Sequence, residues 1–303
     1  MRILVTGGNG FIGSRVAAHL ARSGHDVVAT LHSDDSRRPL DDLDGLAFAV
    51  LDATDRESVH RMIGTGQFGG IVHTAALIDA GDDLEALPQL IRTNVGAVGN
   101  LVEAASRCGC SRIVFTSSIS VYGSGNSPKT GFSESSVAPD TLYGWSKRSA
   151  EEIFDSASAR TPGLSAVTLR LAGVHGVGRD SGALFSFTRA ALNNAAIKIA
   201  EPVSRFRWSF IDDVLQGVDR ALMADLSAEH HIVNVASADS FTLLELAEQI
   251  RDFADSQSAI EVNPEAQCRR SVLNIDKARQ LLNFRPTLLK EFLQSYVSDQ
   301  SNK

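Results

Sequence analysis

The 303-residue chain is short of the residues on which several structural classes depend. Its three cysteines, Cys108, Cys110 and Cys268, are an odd number with no Cys-x-x-Cys spacing. That fits neither a disulfide framework nor a metal clip, and free thiols in a reducing cytosol are expected. Twenty-nine basic residues stand against 36 acidic ones, a net charge of −7, so the basic face that a nucleic-acid partner requires is missing. No apolar run approaches the roughly 20 residues of a membrane span. Met1 leads directly into a strand pattern with no signal peptide ahead of it, so a soluble cytoplasmic protein is expected. Internal repeats and low-complexity tracts are absent. Only three tyrosines and two tryptophans occur. Apolar residues are plentiful, at 43%, enough to fill one large core or two ordinary ones without metal or disulfide.

Short apolar runs alternate with amphipathic stretches, the pattern of an α/β protein with a doubly wound parallel sheet covered on both faces. Strands are expected at 3–6, 26–31, 46–51, 70–73, 112–117, 166–171 and 230–235. Helices are expected at 14–23, 56–63, 87–107, 142–159, 188–196 and 242–253, the last opened by a Thr-x-x-Glu capping box. Gly24 suits a helix C-terminus.

The opening, MRILVTGGNGFIG, places Gly7, Gly8, Gly10 and Gly13 between the first strand and the first helix. A diphosphate must lie against bare backbone, where a Cβ would block it, and the helix then offers free N–H groups and a positive dipole end. Gly8-x-Gly10-x-x-Gly13 matches the dinucleotide fingerprint in its strand-turn-helix context. A carboxylate at the end of the second strand would mark a cofactor with a free ribose 2′-hydroxyl. Leu31 stands there instead, followed by His32 and Ser33, with Arg37 and Arg38 beyond. NADP is therefore the preferred cofactor, with NAD the alternative that Asp34 and Asp35 keep open.

Tyr143-Gly-Trp-Ser-Lys147 is the second constellation. Spacing of four puts both side chains on one helix face. A phenol with a reference pKa near 10 exchanges protons poorly at neutral pH. An ammonium about 4–5 Å away contributes roughly 3–4 kcal/mol at an effective dielectric of about 20, or about two to three pKa units.

These motifs resemble the extended short-chain dehydrogenase/reductases, the group of nucleotide-sugar epimerases, dehydratases and ketoreductases. The likeness runs in order through TGGNGFIG, Leu51-Asp52-Ala53, IVHTAA at 71–76, Asn94-Val95, Phe115–Ser118, Val121-Tyr122-Gly123 and the Tyr-Lys pair, and on into the second half. It implies that Tyr143 exchanges the proton on the reacting oxygen, that Lys147 tunes it and holds the nicotinamide ribose, that Ser118 rather than Ser117 bonds the same oxygen, and that Asn94 supports them. It implies cofactor contacts at Gly7, Gly10, Phe11, Ile12, Gly13, His32, Ser33, Arg37, Asp52, Ala53, Ala75, Ala76, Tyr143, Lys147, Ala172 and Val174.

The dehydratases of that group carry an acid pair beside the serine. Thr116-Ser-Ser-Ile119 has none, so dehydration is not expected. The stretch RFRWSFIDD, Arg205 to Asp213, resembles the segment whose arginine meets a substrate diphosphate. Arg207 is the candidate anchor and Arg270 a second; with Ser118 they form the expected substrate contacts, and Asp212 or Asp213 is expected to cap a helix. His175 is expected to pack rather than react. No metal site is expected.

The resemblance further implies an interleaved, smaller C-terminal substrate-binding domain, with residues 1–172 and about 211–236 forming the dinucleotide-binding domain and 173–210 and 237–303 the substrate domain. It implies a homodimer through the helices near 94–107 and 142–159. The leading expectation is a ketoreductase passing hydride between NADPH and a nucleotide-linked keto-sugar. A nucleotide-sugar epimerase is the alternative, followed by a reductase of hydrophobic alcohols or ketones, for which Phe185, Phe187, Phe206, Trp208 and Phe210 would line the pocket, and by a non-catalytic NADP sensor.

Overall fold

A computed structural model describes residues 1–33, 43–78, 83–263 and 268–301. Six strands, β1 (Arg2–Thr6), β2 (Asp26–Leu31), β3 (Leu46–Val50), β4 (Gly70–His73), β5 (Arg112–Ser118) and β6 (Ser165–Leu171), join the later strand His230–Val235 in one sheet. Its order is His230–Val235, β6, β5, β4, β1, β2, β3, and the pairings from β3 through β2, β1 and β4 to β5 are parallel. Strands covered on both faces can be apolar throughout: Ile3, Leu4 and Val5 have no exposed surface. Between the strands run the helices α1 (Phe11–Arg22), α2 (Arg56–Gly66), α3 (Leu87–Leu90), α4 (Ala97–Cys108) and α5 (Leu142–Ser158). One face of the sheet, with Leu4, Ile71, Ile113 and Phe115, packs on Val59 and Ile63 of α2, Leu101 of α4 and Phe154 of α5.

The chain divides into two compact units. The first comprises Met1–Gly123, Val137–Arg170 and Leu215–Val233, the second Ser124–Ser136, Leu171–Val214 and Asn234–Lys303. Ser124–Ser136 groups with the second unit because Ser127 N–H donates to Arg270 O and Phe132 N–H to Val272 O, long-range pairings that no local pattern announces. Phe187, Trp208, Phe210, Phe241, Phe292 and Tyr296 build the core of this unit, with the rings of Phe210 and Phe292 stacked at 3.9 Å. The helix expected at 188–196 instead spans Ala183–Leu192. Asn194 takes a left-handed conformation (φ 51°), which closes the helix earlier than the apolar spacing suggests. The capping box is present: Thr242 and Glu245 exchange both bonds. Among the described residues, no helix is long and apolar enough to cross a membrane.

Candidate functional site

In this sheet the strand order reverses between β1 and β4, and such a reversal opens a ligand crevice at the carboxyl ends of the strands. The glycine turn occupies that place. Gly7 has φ +75°, and a Cβ on it would stand 2.8 Å from the Ala75 nitrogen. A Cβ on Gly13 would strike the Gly7 carbonyl oxygen and approach Thr74 Oγ1. Gly8 serves the strand instead. It lies against the Ala29 side chain and donates its N–H to Thr30 O at 2.7 Å, which docks the turn on β2. Gly10 is the N-cap of α1, no side chain caps the helix, and its first turn holds no acid. The donors of Phe11, Ile12 and Gly13 and the positive helix end therefore face an uncompensated position suited to a diphosphate. The cradle fits a dinucleotide, since the missing Cβ atoms of Gly7 and Gly13 let the turn close on Ala75 and on the start of α1, and the helix end there carries neither a capping side chain nor an acid.

Leu31 is buried, whereas His32 and Ser33 are exposed. Arg37, like Arg38, Asp34 and Asp35, lies outside the described residues. Asp52 is exposed and accepts the Thr54 N–H at 2.8 Å, while Asn100 Nδ2 donates to Ala53 O at 3.0 Å and steadies that loop. Ala75 and Ala76 follow β4 against the glycine turn.

Strand β5 carries Ser118 to the N-terminus of a 3-10 turn, Ile119–Tyr122, where its Oγ accepts the Ser120 N–H and donates to Ser120 Oγ, both at 3.1 Å. Ser117 points the other way and donates to Glu151 in the interior at 2.6 Å. Thr141 caps α5 by accepting the Gly144 N–H at 3.1 Å, and a Cβ on Gly144 would meet Ser120 O. The glycine thus lets the first turn of α5, with Tyr143, close against the Ser118 turn. Lys147 follows on the same face, its Nζ 5.9 Å from the Tyr143 ring centroid. That Nζ donates to Thr116 O at 2.8 Å and lies 4.6 Å from the Phe115 ring centroid. Burial pushes the ammonium down to about 7, partly opposed by the carboxylate of Glu151. His73 is held down to about 3 by burial and by the neighbouring Lys147; its Nδ1 lies 2.7 Å from Thr6 Oγ1.

Asn94 sits in a π-helical turn, Ile91–Gly96, a feature often found at functional sites. Its Oδ1 accepts Leu77 N–H at 2.8 Å, and its Nδ2 donates to Leu77 O at 2.9 Å and Ser146 Oγ at 3.0 Å. It ties the loop after β4 to α5.

The second unit holds the remaining candidates. Ala172 N–H donates to Ser209 Oγ at 2.9 Å, and Val174 pairs with Ser209. His175 is buried, stacks on Trp208 at 3.9 Å and is held down to about 3 by burial, a neutral packing residue. Arg207 donates to Leu273 O at 2.7 Å and Ala238 O at 3.3 Å, while its buried Nε has no partner among the described residues. Arg270 donates to Pro128 O at 3.1 Å and Lys129 O at 2.7 Å. Each guanidinium is thus braced by backbone carbonyls. Asp213 lies in the first turn of the helix Ile211–Met223 and bonds a distant residue. Its carboxylate accepts both the N–H and the hydroxyl of Thr287, at 3.0 and 2.8 Å, and burial pushes it up to about 6.

Sequence reasoning missed Glu151 and Arg170, both without exposed surface. Two signals existed: Glu151 stands one turn beyond Lys147 on the same face, and Arg170 is the one charged residue of its strand. Among the described residues, no group of three or more His, Cys, Asp or Glu could hold a metal.

The family model described as "NAD dependent epimerase/dehydratase family" matches residues 3–236. The UDP-N-acetyl-alpha-D-glucosaminuronate decarboxylase of Bacillus cytotoxicus is 28% identical over 275 residues, covering 86% of this chain and 82% of its own. UDP-glucuronate 4-epimerase 1 of Arabidopsis thaliana is 27% identical over 331 residues, covering 98% and 76%. The fold matches the crystal structure of UDP-glucuronic acid 4-epimerase from Bacillus cereus in complex with NAD, with a TM-score of 0.82 at 22% identity, covering 99% of this chain and 100% of that one.

Proposed function

The chain belongs to the NAD dependent epimerase/dehydratase family, and from that premise we propose that it is an epimerase that inverts one carbinol carbon of a UDP-sugar, with NAD as a resident redox partner. The observation that carries this reading is the placement of Tyr143 and Lys147 on one face of α5, against the turn that holds Ser118. NAD, held by the cradle of Gly7, Gly10 and Gly13 with its ribose on Lys147, supplies a reversible hydride acceptor. Tyr143 takes the proton of the sugar hydroxyl as the carbon is oxidised and returns it when the carbon is reduced from the opposite face. Lys147 stabilises the phenolate, and Ser118 bonds the same oxygen.

Two supports favour an epimerase over the ketoreductase expected from Leu31. The decarboxylase of Bacillus cytotoxicus and the epimerase of Arabidopsis thaliana act, by name, on UDP-hexuronates, and the Bacillus cereus structure holds NAD. Leu31, on which the NADP preference leaned, is a buried strand end. Three of the five aromatics expected to line a hydrophobic-alcohol pocket, Phe187, Trp208 and Phe210, lie in the core, which weighs against that alternative. Arg207, whose Nε is unpartnered among the described residues, is the proposed diphosphate contact, with Arg270 beside it as a charged neighbour. A second copy of the chain is proposed to dock on the shallow groove between α4 and α5, lined by Val102, Ser106, Ser149 and Ile153. The test is product analysis with UDP-glucuronate and NAD. The 4-epimer is expected from the native protein and none from Tyr143→Phe, which still binds NAD. Loss of carbon dioxide instead would assign the chain to the decarboxylases, and equal turnover by Tyr143→Phe would refute the reading.

A further inference from the structure

The interior behind the Tyr143–Lys147 pair contains an ionic cluster that the proposed reaction does not use. Glu151 receives four donated hydrogen bonds: Ser117 Oγ at 2.6 Å and Arg170 Nε at 2.9 Å on one oxygen, Arg170 Nη2 at 2.8 Å and Arg148 Nη1 at 3.3 Å on the other. Arg170 extends the cluster by donating to Tyr122 Oη at 3.0 Å. Glu151 and Arg170 are completely buried.

Two successive turns of α5 therefore grip two successive residues of β5. Lys147 Nζ bonds the Thr116 carbonyl, and Glu151 bonds the Ser117 hydroxyl. The next residue of that strand is Ser118. A buried ion pair is a poor way to gain stability, whereas a fixed carboxylate one turn from a desolvated ammonium has an electrostatic consequence. Lys147 has a carbonyl as its hydrogen-bond acceptor and aromatic rings beside it, so an anion at a distance is its main source of stabilising charge.

We propose that Glu151 is a positioning residue of this site, locked by Arg170 and Ser117, whose carboxylate keeps Lys147 charged and sets α5 against the strand end that delivers Ser118. The proposal deepens the reading above and rests on Lys147 holding the cofactor. The groups facing the pair are accounted for on every element packed against it: His73 on β4, itself kept neutral by burial, Thr116 and Ser117 on β5, Tyr122 on the following turn, Tyr143 and Arg148 on α5, Arg170 on β6, and His230 on the last strand, which feels Glu151 from its far side.

NADH fluorescence titrations from pH 4.5 to 9 test this without a sugar substrate. In the native protein, affinity falls as Lys147 loses its proton. Glu151→Gln keeps the shape and two acceptor contacts but removes the charge, and the midpoint moves down by about one to two pH units. Ser117→Ala leaves the midpoint in place, because the charge remains. Lys147→Met weakens binding and makes it flat with pH. Where Glu151→Gln fails to fold, the double replacement Glu151→Gln with Arg170→Gln removes both buried charges, and the midpoint still falls, by less. A native-like midpoint in the folded Glu151→Gln or double variant overturns the proposal while leaving the site intact. A native pH dependence in Lys147→Met overturns the site reading and the proposal together.

Discussion

The space where Gly13 would carry a Cβ is taken by the carbonyl oxygen of Gly7. One residue of α1 thus leans directly on the turn that precedes it, and the helix N-terminus cannot retreat from the crevice. Gly13→Ala should force these backbones apart. Overpacking of this kind costs typically 1–3 kcal/mol, and NAD affinity should fall by at least tenfold. Thermal melts with and without NAD check both effects; unchanged affinity would separate the turn from cofactor binding.

Asn94 satisfies both backbone groups of Leu77. Asn94→Ala leaves a part-buried donor and acceptor of Leu77 without this partner, at up to about 1 kcal/mol each, so a lower melting temperature is expected. Asn94→Asp retains the bond from Leu77 N–H but sets an oxygen against Leu77 O, and should be similarly destabilised at neutral pH. Melting curves of the two variants give the comparison.

Asp213 has a folded pKa of about 6 against 3.8 for the free group, burial being the largest cause. The folded state therefore binds more protons than the unfolded state between these values. Stability contributed at this site is greatest below pH 4 and declines as pH rises to about 6, by roughly 3 kcal/mol across the two units. Asp213→Asn keeps the acceptor for Thr287 and should remove that slope, so the variant gains relative stability at pH 7. Chemical denaturation of both proteins at pH 4, 5, 6 and 7 measures the difference between them.

Cys110 is buried, its thiol pushed up to about 11 by burial, whereas Cys108 and Cys268 are exposed. An aromatic disulfide reagent at pH 8 should label two thiols quickly and the third only in denaturant. Three fast thiols would contradict the packing of Cys110 in the core just ahead of β5.

Much of the fold could be read from the chain because local patterns suffice for it. The apolar runs at 3–5 and 70–73, the glycines at 7, 10 and 13 and the Thr242–Glu245 capping box each specify structure within a few residues. The second unit was less legible. Asn194 ends a helix in mid-pattern, and Asp213 serves Thr287, 74 residues away, which helix-capping rules cannot foresee. The same holds within the candidate site. Tyr143 and Lys147 lie one turn apart and declare themselves, whereas Ser117, Glu151 and Arg170 meet only through the pairing of strand and helix. The preference for NADP rested on the missing carboxylate at Leu31 and on Arg37 and Arg38; Leu31 is buried at its strand end, and the two arginines lie outside the described residues.

The central claim is that hydride leaves and returns to the same sugar while Tyr143 shuttles its proton. It is tested most directly by following absorbance at 340 nm alongside product formation from UDP-glucuronate, with NAD at enzyme concentration. Many equivalents of epimer per NAD are expected, with no net change in reduced nucleotide. One reduced nucleotide consumed or formed for each product would contradict the claim.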